Sequence, residues 1–233
     1  MVIIKGIQKT SLIDYPDKMS TVIFTGGCNM RCPFCQNPEL ILGQKKFPDL
    51  DEDKIIEFIK QRKMWIDGIC VTGGEPLIYP DIIELMKKIK KETELPIKLD
   101  TNGLNPELLK EIIDQKIVDY IAMDIKSDQE HYSKAAGCEL DIEKIRKSVE
   151  FIKKSGIDYE FRSTIVPDFF NETIVENIGK WLKGSKRYCL QQFQSGVPLL
   201  DKEFEGKTPY QEEVFNIFKK ILEKYVDEII LRI

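Results

Sequence analysis

The sequence predicts an α/β protein, built as a partial, open (β/α)6 barrel of the TIM type. From about residue 20 onward, short β-rich runs alternate with amphipathic helical stretches, and the alternation occurs six times. Such alternation implies parallel strands joined by right-handed crossovers. A full eightfold barrel usually needs about 250 residues, and this chain has 233, so six units suggest an incomplete barrel. On pattern alone, a doubly wound open sheet is the alternative.

The predicted strands are β-rich runs bounded by polar or glycine-containing turns. They span residues 20–25, 68–72, 96–100, 118–124, 157–166 and 187–193, and residues 228–233 resemble a terminal strand. We assign residues 1–19 to a segment that precedes the barrel and expect one domain over 1–233.

Between the strands, apolar residues recur at steps of three and four, which predicts helices that bury one face. Pro80-Asp81 and Asn105-Pro106 are typical helix starts, and Ser155-Gly156 is a typical helix stop. The predicted buried faces include Ile55, Ile56, Ile59, Ile82, Leu85, Met86, Ile89, Leu108, Leu109, Ile112, Ile113, Ile142, Ile145, Val149, Ile152, Ile174, Ile178, Trp181, Val214, Ile217, Phe218 and Ile221.

Composition excludes several classes of protein. The chain is 42% hydrophobic, with 12 Phe, 8 Tyr and 2 Trp, which excludes intrinsic disorder. A net charge of −4 argues against binding to nucleic acid or an anionic membrane. No apolar run approaches the about 20 residues of a membrane span, and the N-terminal residues are too polar for a signal peptide. We therefore expect a cytoplasmic protein with neither nucleic acid nor membrane as a partner.

Three of the six cysteines, Cys28, Cys32 and Cys35, lie close together directly after the first predicted strand. Active sites of parallel α/β folds lie at this end of the strands, and closely spaced thiols indicate a metal site. Zinc and iron–sulfur sites usually take four ligands, so three thiolates on a 4Fe–4S cluster leave one iron open to another ligand. A zinc site would need a distant fourth ligand, and the only histidine is His131. The scattered Cys70, Cys138 and Cys189 are predicted to be packing residues.

The spacing C-x3-C-x2-C, with Phe34 before the last cysteine, resembles the signature of the radical S-adenosylmethionine (SAM) superfamily. In that family the three thiolates hold a 4Fe–4S cluster, and SAM binds the open iron through its amino and carboxylate groups. The resemblance implies that Cys28, Cys32 and Cys35 hold the cluster and that Phe34 belongs to the cofactor site. It also implies the barrel fold described above.

A longer string, Thr10-Ser-Leu-Ile-Asp-Tyr-Pro16 leading into FTGGCNMRCPFCQNPEL, resembles glycyl-radical-enzyme activases, especially activating proteins of anaerobic ribonucleoside-triphosphate reductase. Two positions differ from the pattern of these activases. Asp17 stands where that branch commonly has Gly, and Gln36 stands where activases commonly have His. The resemblance implies a glycyl radical enzyme as protein substrate, such as anaerobic ribonucleotide reductase or a pyruvate formate-lyase-like enzyme. It also implies flavodoxin or ferredoxin as electron donor, and Asp14 as a contact for the partner's glycine loop.

Polar motifs at the ends of the later predicted strands resemble the SAM-binding segments of this family. They are Gly-Gly-Glu-Pro after the second strand, Asp-Thr-Asn-Gly after the third and Asp-Ile-Lys after the fourth, with an arginine on the fifth. The glycines would let backbone carbonyls approach SAM's ammonium group. The resemblance assigns SAM contacts to Gly73, Gly74, Glu75, Asp100, Thr101, Asn102, Asp124, Lys126 and Arg162.

Charge suggests distinct roles for these residues. Lys126 suits SAM's carboxylate, while Asp100 and Asp124 suit Lys126 or a bound cation. Arg162 interrupts an apolar strand and should point into the barrel, where it serves SAM or the substrate backbone; a structural ion pair is the alternative. Gln191 and Gln192 are expected to line the pocket, and His131 is expected to be a surface or helix-cap residue.

Three functions remain open. The first is a protein-modifying activase, favoured by the segment 10–16 and by the absence of a second cysteine cluster. The second is a radical SAM enzyme that acts on a small molecule, such as a 7-carboxy-7-deazaguanine synthase-like enzyme. The third is a zinc-binding interaction module, which the strand-end motifs argue against. An activase needs an open groove for a peptide loop, whereas a small-molecule enzyme needs a closed cavity.

Overall fold

The computed structural model describes residues 1–42 and 46–233, in which eight strands form one sheet in the order of the chain. The first two strands are antiparallel and all later neighbours are parallel. The strands are β1 (Ile4–Tyr15), β2 (Lys18–Thr25), β3 (Gly68–Gly73), β4 (Ile97–Thr101), β5 (Tyr120–Asp124), β6 (Asp158–Ile165), β7 (Arg187–Gln192) and β8 (Glu228–Arg232).

This topology confirms the partial, open barrel. Strand β1 does not pair with β8, so the sheet is not closed. A doubly wound sheet would reverse its strand order at a switch point, and the order here runs from β1 to β8 without reversal. The six predicted strands and the terminal strand agree with β2–β8 to within a few residues.

Helices connect each parallel strand to the next, as the alternating pattern predicts. Among residues 1–42 and 46–233, two of the six connections carry a second, short α-helix, and two others carry a short 3-10 helix, Pro76–Ile78 and Lys202–Phe204. Within the described residues the helices are α1 (Pro38–Leu42), α2 (Glu52–Arg62), α3 (Ile82–Thr93), α4 (Pro106–Asp114), α5 (Tyr132–Ala136), α6 (Ile142–Lys154), α7 (Glu172–Trp181) and α8 (Glu212–Leu222). None of these described helices combines the length and the apolar character needed to cross a bilayer.

The predicted buried faces pack against the sheet in most helices. On α2 and α3 every predicted residue is buried, and the Asn105 side chain caps α4 by accepting a hydrogen bond from the Leu108 backbone N–H. Helix α8 buries Phe218 as predicted, but it also buries Phe215 and Leu222, which were not predicted, and it exposes Ile217, which was. Several neighbouring apolar residues on α8 allow more than one face, and packing against the sheet selects one of them.

Strand β1 is the main element that the sequence analysis missed. Ile4–Tyr15 pair with β2 and belong to the sheet, whereas residues 1–19 were expected to precede it. The exposed neighbours Leu12 and Ile13 break the alternation that marks a half-buried strand, and the pairing has register shifts. In the turn that joins the two strands, Asp17 has a φ of 58°, a left-handed conformation that Gly adopts freely and Asp tolerates.

Candidate functional site

A cavity of about 320 Å³ lies at the C-terminal ends of the parallel strands. All fourteen predicted site residues line it, from the N-terminal strand, the cysteine loop and the ends of β3–β6. They are Asp14, Cys28, Cys32, Phe34, Cys35, Gly73, Gly74, Glu75, Asp100, Thr101, Asn102, Asp124, Lys126 and Arg162. Parallel strands bring their carboxyl ends to one edge, so residues distant in sequence meet there.

The three clustered cysteines face this cavity from the loop after β2. Cys32 is buried, and Cys28 and Cys35 are half-buried. The Sγ atoms of Cys28 and Cys35 accept hydrogen bonds from the backbone N–H groups of Met30 and Asn37, both at 3.4 Å. Hydrogen bonds to sulfur of this kind tune iron–sulfur clusters.

Burial raises the pKa of the Cys28 thiol to about 11 and that of Cys32 to about 12. Buried thiols become thiolates when a cation binds them, which is the chemistry of a cluster ligand. Among residues 1–42 and 46–233, no three Cys, His, Asp or Glu side chains are grouped around a position for one metal ion. Three thiols on one loop that line one cavity nevertheless fit the ligand set of a cluster with an open iron.

Gly73 and Gly74 allow β3 to approach the cysteine loop closely. Gly73 has a φ of +125°, and a Cβ at Gly74 would lie 1.8 Å from the Gly27 carbonyl oxygen. The backbone N–H groups of Gly74 and Glu75 donate to the carbonyls of Thr25 and Gly27 at 2.9 and 2.8 Å. The glycines therefore have a packing role that the sequence analysis, which assigned them to an ammonium group, did not foresee.

We expect Gly74→Ala to loosen the cysteine loop, because a Cβ cannot fit against a backbone carbonyl without displacing it. Overpacking of this kind typically costs about 1–3 kcal/mol. Thermal unfolding should therefore begin at a lower temperature, and the iron content after anaerobic reconstitution should fall. Gly206→Ala is the matched control, since no atom lies within 4 Å of a Cβ there. Equal stability and iron content in the two variants would contradict this role.

Glu75 links three parts of the site. Its buried carboxylate accepts hydrogen bonds from the Thr101 hydroxyl and the Asn102 N–H, both at 2.7 Å, and from the Leu77 N–H at 3.0 Å. Burial raises its pKa to about 7, although these donors favour the charged form. The Asn102 amide donates in turn to the Asn29 side chain in the cysteine loop at 2.7 Å. Glu75 therefore holds the end of β4 beside the cysteines.

Five charged side chains, Lys98, Asp100, Arg162, Asp124 and Lys126, form a continuous series across the barrel, here called the ionic ladder. Lys98 pairs with Asp100, and Arg162 Nη1 lies 2.9 Å from Asp100 Oδ2. Arg162 Nε also pairs with Asp124, whose second oxygen lies 2.9 Å from Lys126 Nζ. Arg162 thus both forms structural ion pairs and lines the cavity.

The ladder keeps its carboxylates charged despite burial. Burial alone would raise the pKa values of Asp100 and Asp124, but the neighbouring cations hold both below their usual range. Burial would lower the pKa of Lys126, but Asp124 raises it above its ordinary value. Lys98 was not predicted as a site residue, although a charged residue in an apolar strand, two positions before Asp100, was a visible signal.

The remaining predicted residues have mixed outcomes. His131 occupies the N-cap position of α5, as predicted, although its side chain makes no capping hydrogen bond; its Nδ1 lies 2.7 Å from Asp128 Oδ1. Cys70 and Cys189 are fully buried, while Cys138 is only half-buried. Gln191 lines the cavity. Gln192 was also predicted to line the cavity, but it does not. Successive side chains of a strand face opposite ways, and the Gln192 amide donates a hydrogen bond to the Tyr210 carbonyl at 3.2 Å.

A family model described as "Radical SAM superfamily" matches residues 22–180, which include the cysteine loop and every strand-end motif described above. The chain belongs to the radical SAM superfamily of enzymes. This family implies SAM and a 4Fe–4S cluster as cofactors, in agreement with the cysteine spacing.

Curated relatives of this radical SAM protein match along almost its whole length. A Methanocaldococcus jannaschii protein, named provisionally as a glycyl-radical enzyme activating enzyme, is 35% identical over 99% of the chain and 95% of that relative. The pyruvate formate-lyase-activating enzyme of Clostridium pasteurianum is 28% identical over 97% of the chain and 98% of its own length.

Solved structures show the same fold. SuiB of Streptococcus suis, crystallised with S-adenosylmethionine, matches 88% of the chain with a TM-score of 0.67 at 13% identity. The chain spans about half the length of that structure, with 48% of it covered. At this identity the likeness concerns the fold.

Proposed function

We propose that Cys28, Cys32 and Cys35 hold a 4Fe–4S cluster and that SAM occupies the adjoining cavity. The observation that carries this proposal is the convergence of the three thiols and the strand-end motifs on one cavity. When bound, the cluster supplies the electron that cleaves SAM to methionine and a 5′-deoxyadenosyl radical. We propose flavodoxin or ferredoxin as the source of that electron.

The residues of the chain bind and orient in this proposal. Lys126 and Arg162 line the cavity with positive charge that suits SAM's carboxylate. The Gly73–Glu75 segment and Asn102 hold the cysteine loop against the strand ends. Phe34, which is buried and lies 5.7 Å from Phe169 between ring centroids, helps exclude water from the thiols.

We further propose that the substrate is a backbone glycine of a glycyl radical enzyme. Two relatives that match nearly the full chain carry names of such activases. Asp14 lines the cavity from β1 and accepts a hydrogen bond from the Ser11 hydroxyl, which orients its carboxylate. This placement suits a contact to a substrate backbone N–H.

An open approach to the cavity also favours a polypeptide substrate over a small molecule. A second cavity, of about 740 Å³, shares Phe24, Gln36 and Asn37 with the first. It is lined by Gly6 and Ile7 of β1 and by Gln194, Val197 and Pro198 of the loop that follows β7. Together the two cavities form a groove that suits an extended loop of a partner protein.

We expect a glycyl radical doublet in the electron paramagnetic resonance spectrum when the reduced, cluster-loaded protein is mixed with SAM and its partner enzyme. Cys28→Ala should give no signal, because one cluster ligand is missing. Asp14→Ala should diminish the signal while SAM cleavage without a partner continues. Turnover of a nucleotide-like small molecule, with no glycyl radical, would contradict the activase assignment and favour the small-molecule alternative.

A further inference from the structure

Lys98 is the one member of the ionic ladder that does not line the cavity. It is 1% exposed, and it reaches Asp100 because the two residues are two positions apart on β4 and share its inner face. A fully buried lysine is rare unless it is paired. Lys98 Nζ contacts Asp100 and, at 3.8 Å, the Cys70 Sγ atom. Of these two partners Asp100 lines the cavity and Cys70 does not, so an effect of Lys98 on the cavity acts through Asp100.

The charges of the ladder suggest what that role is. Its three cations outnumber its two carboxylates, which leaves one positive charge in excess. Arg162 is shared between Asp100 and Asp124. Because Lys98 neutralises Asp100 from the side away from the cavity, Arg162 remains available to Asp124. Because Asp124 is paired with Arg162, it neutralises less of the positive charge of Lys126, whose ammonium group lies at the cavity end of the ladder.

We propose that Lys98 is a positioning residue that keeps Lys126 available to an anionic group of the ligand. Without Lys98, Arg162 would pair mainly with Asp100. Asp124 would then pair more strongly with Lys126 and neutralise its charge. The excess positive charge would be lost at the cavity, although no cavity-lining residue had changed. This inference rests on the proposed SAM site and identifies the ligand's carboxylate as the group whose binding depends on Lys98.

The test compares two ligands on anaerobic, cluster-loaded protein by equilibrium binding. SAM carries the carboxylate, and 5′-methylthioadenosine lacks the amino acid portion. Lys98→Met should weaken SAM binding about tenfold, within the about 5- to 150-fold typical of coupled sites. Its affinity for 5′-methylthioadenosine should remain close to that of the wild type, because that ligand makes no contact that needs the excess charge.

Cys70→Ala is the matched control, because it removes the other group that Lys98 Nζ contacts, at 3.8 Å, without removing a charge from the ladder. Cys70 does not line the cavity, so this variant should bind both ligands as tightly as the wild type. Equal losses for both ligands in Lys98→Met, no loss at all, or the same selective loss of SAM binding in Cys70→Ala would each overturn the inference. If the wild-type protein binds no SAM, the proposed site fails and the inference falls with it.

Discussion

Alanine substitution of Cys28, Cys32 or Cys35 should abolish or severely deplete the 4Fe–4S cluster. Each of these thiols lines the cavity, and a cluster with three protein ligands has none to spare. After anaerobic reconstitution, visible absorption and iron content should fall close to the level of protein that was never loaded. We expect this to be the largest effect of any single substitution in the chain.

The other three cysteines provide the matched controls. Cys70 and Cys189 are fully buried within the sheet, and Cys138 lies beside the cysteine loop with its Sγ atom 3.7 Å from the Asn29 carbonyl oxygen. None of the three lines the cavity. Their alanine variants should retain iron, although small losses of stability are expected where a buried thiol is removed. Loss of the cluster from any of these variants would disprove the ligand assignment.

Lys126→Ala should weaken SAM binding by about 25-fold to several thousand-fold. The Lys126–Asp124 pair is partly buried. Truncating one member of such a charge pair typically costs about 2–5 kcal/mol, and about 1.4 kcal/mol corresponds to a tenfold change in affinity. Lys126 Nζ lies 2.9 Å from Asp124 Oδ2 and lines the cavity, so its loss leaves the ligand's carboxylate facing Asp124. The cluster should remain, because no thiol is changed.

Affinity should be measured on cluster-loaded protein, with iron content recorded for each variant. Lys90→Ala is a suitable control, because Lys90 pairs with Asp119 at the same 2.9 Å but lies outside the cavity. That variant should bind SAM as tightly as the wild type. A threefold change in affinity corresponds to about 0.65 kcal/mol. If Lys126→Ala keeps its cluster and changes SAM affinity by less than about threefold, Lys126 does not belong to the SAM site.

The parallel strands were predictable because a strand buried on both faces appears as a short, continuous apolar run. Runs of this kind lie within the predicted strands 68–72 and 118–124, and both segments contain strands of the barrel, β3 and β5. Strand β1 was not predictable in the same way. One of its edges pairs with none of the strands in the described part of the chain, and Leu12 and Ile13 are both exposed. Its place in the sheet depends on pairing with β2, which is a tertiary contact.

Motif placement together with the family resemblance was enough to predict which residues meet in the cavity. Most of these motifs lie at strand ends, and parallel strands end at a common edge. What each residue contacts there was not predictable. In addition to the SAM contacts predicted for these residues, the Gly74 backbone packs against Gly27, and the Glu75 carboxylate accepts hydrogen bonds from Thr101, Asn102 and Leu77.

The sequence by itself determined the barrel class, through the alternation of strands and helices, and which residues line the cavity, through motifs near strand ends that resemble those of the family. Only the tertiary structure decided which acidic and basic side chains form ion pairs with each other. Lys98 and Asp100 are neighbours on one strand, but their links to Arg162 on β6 and to Asp124 on β5 depend on which strands lie side by side. Charge pairing acts over a few ångströms in space, and distance along the chain does not predict it.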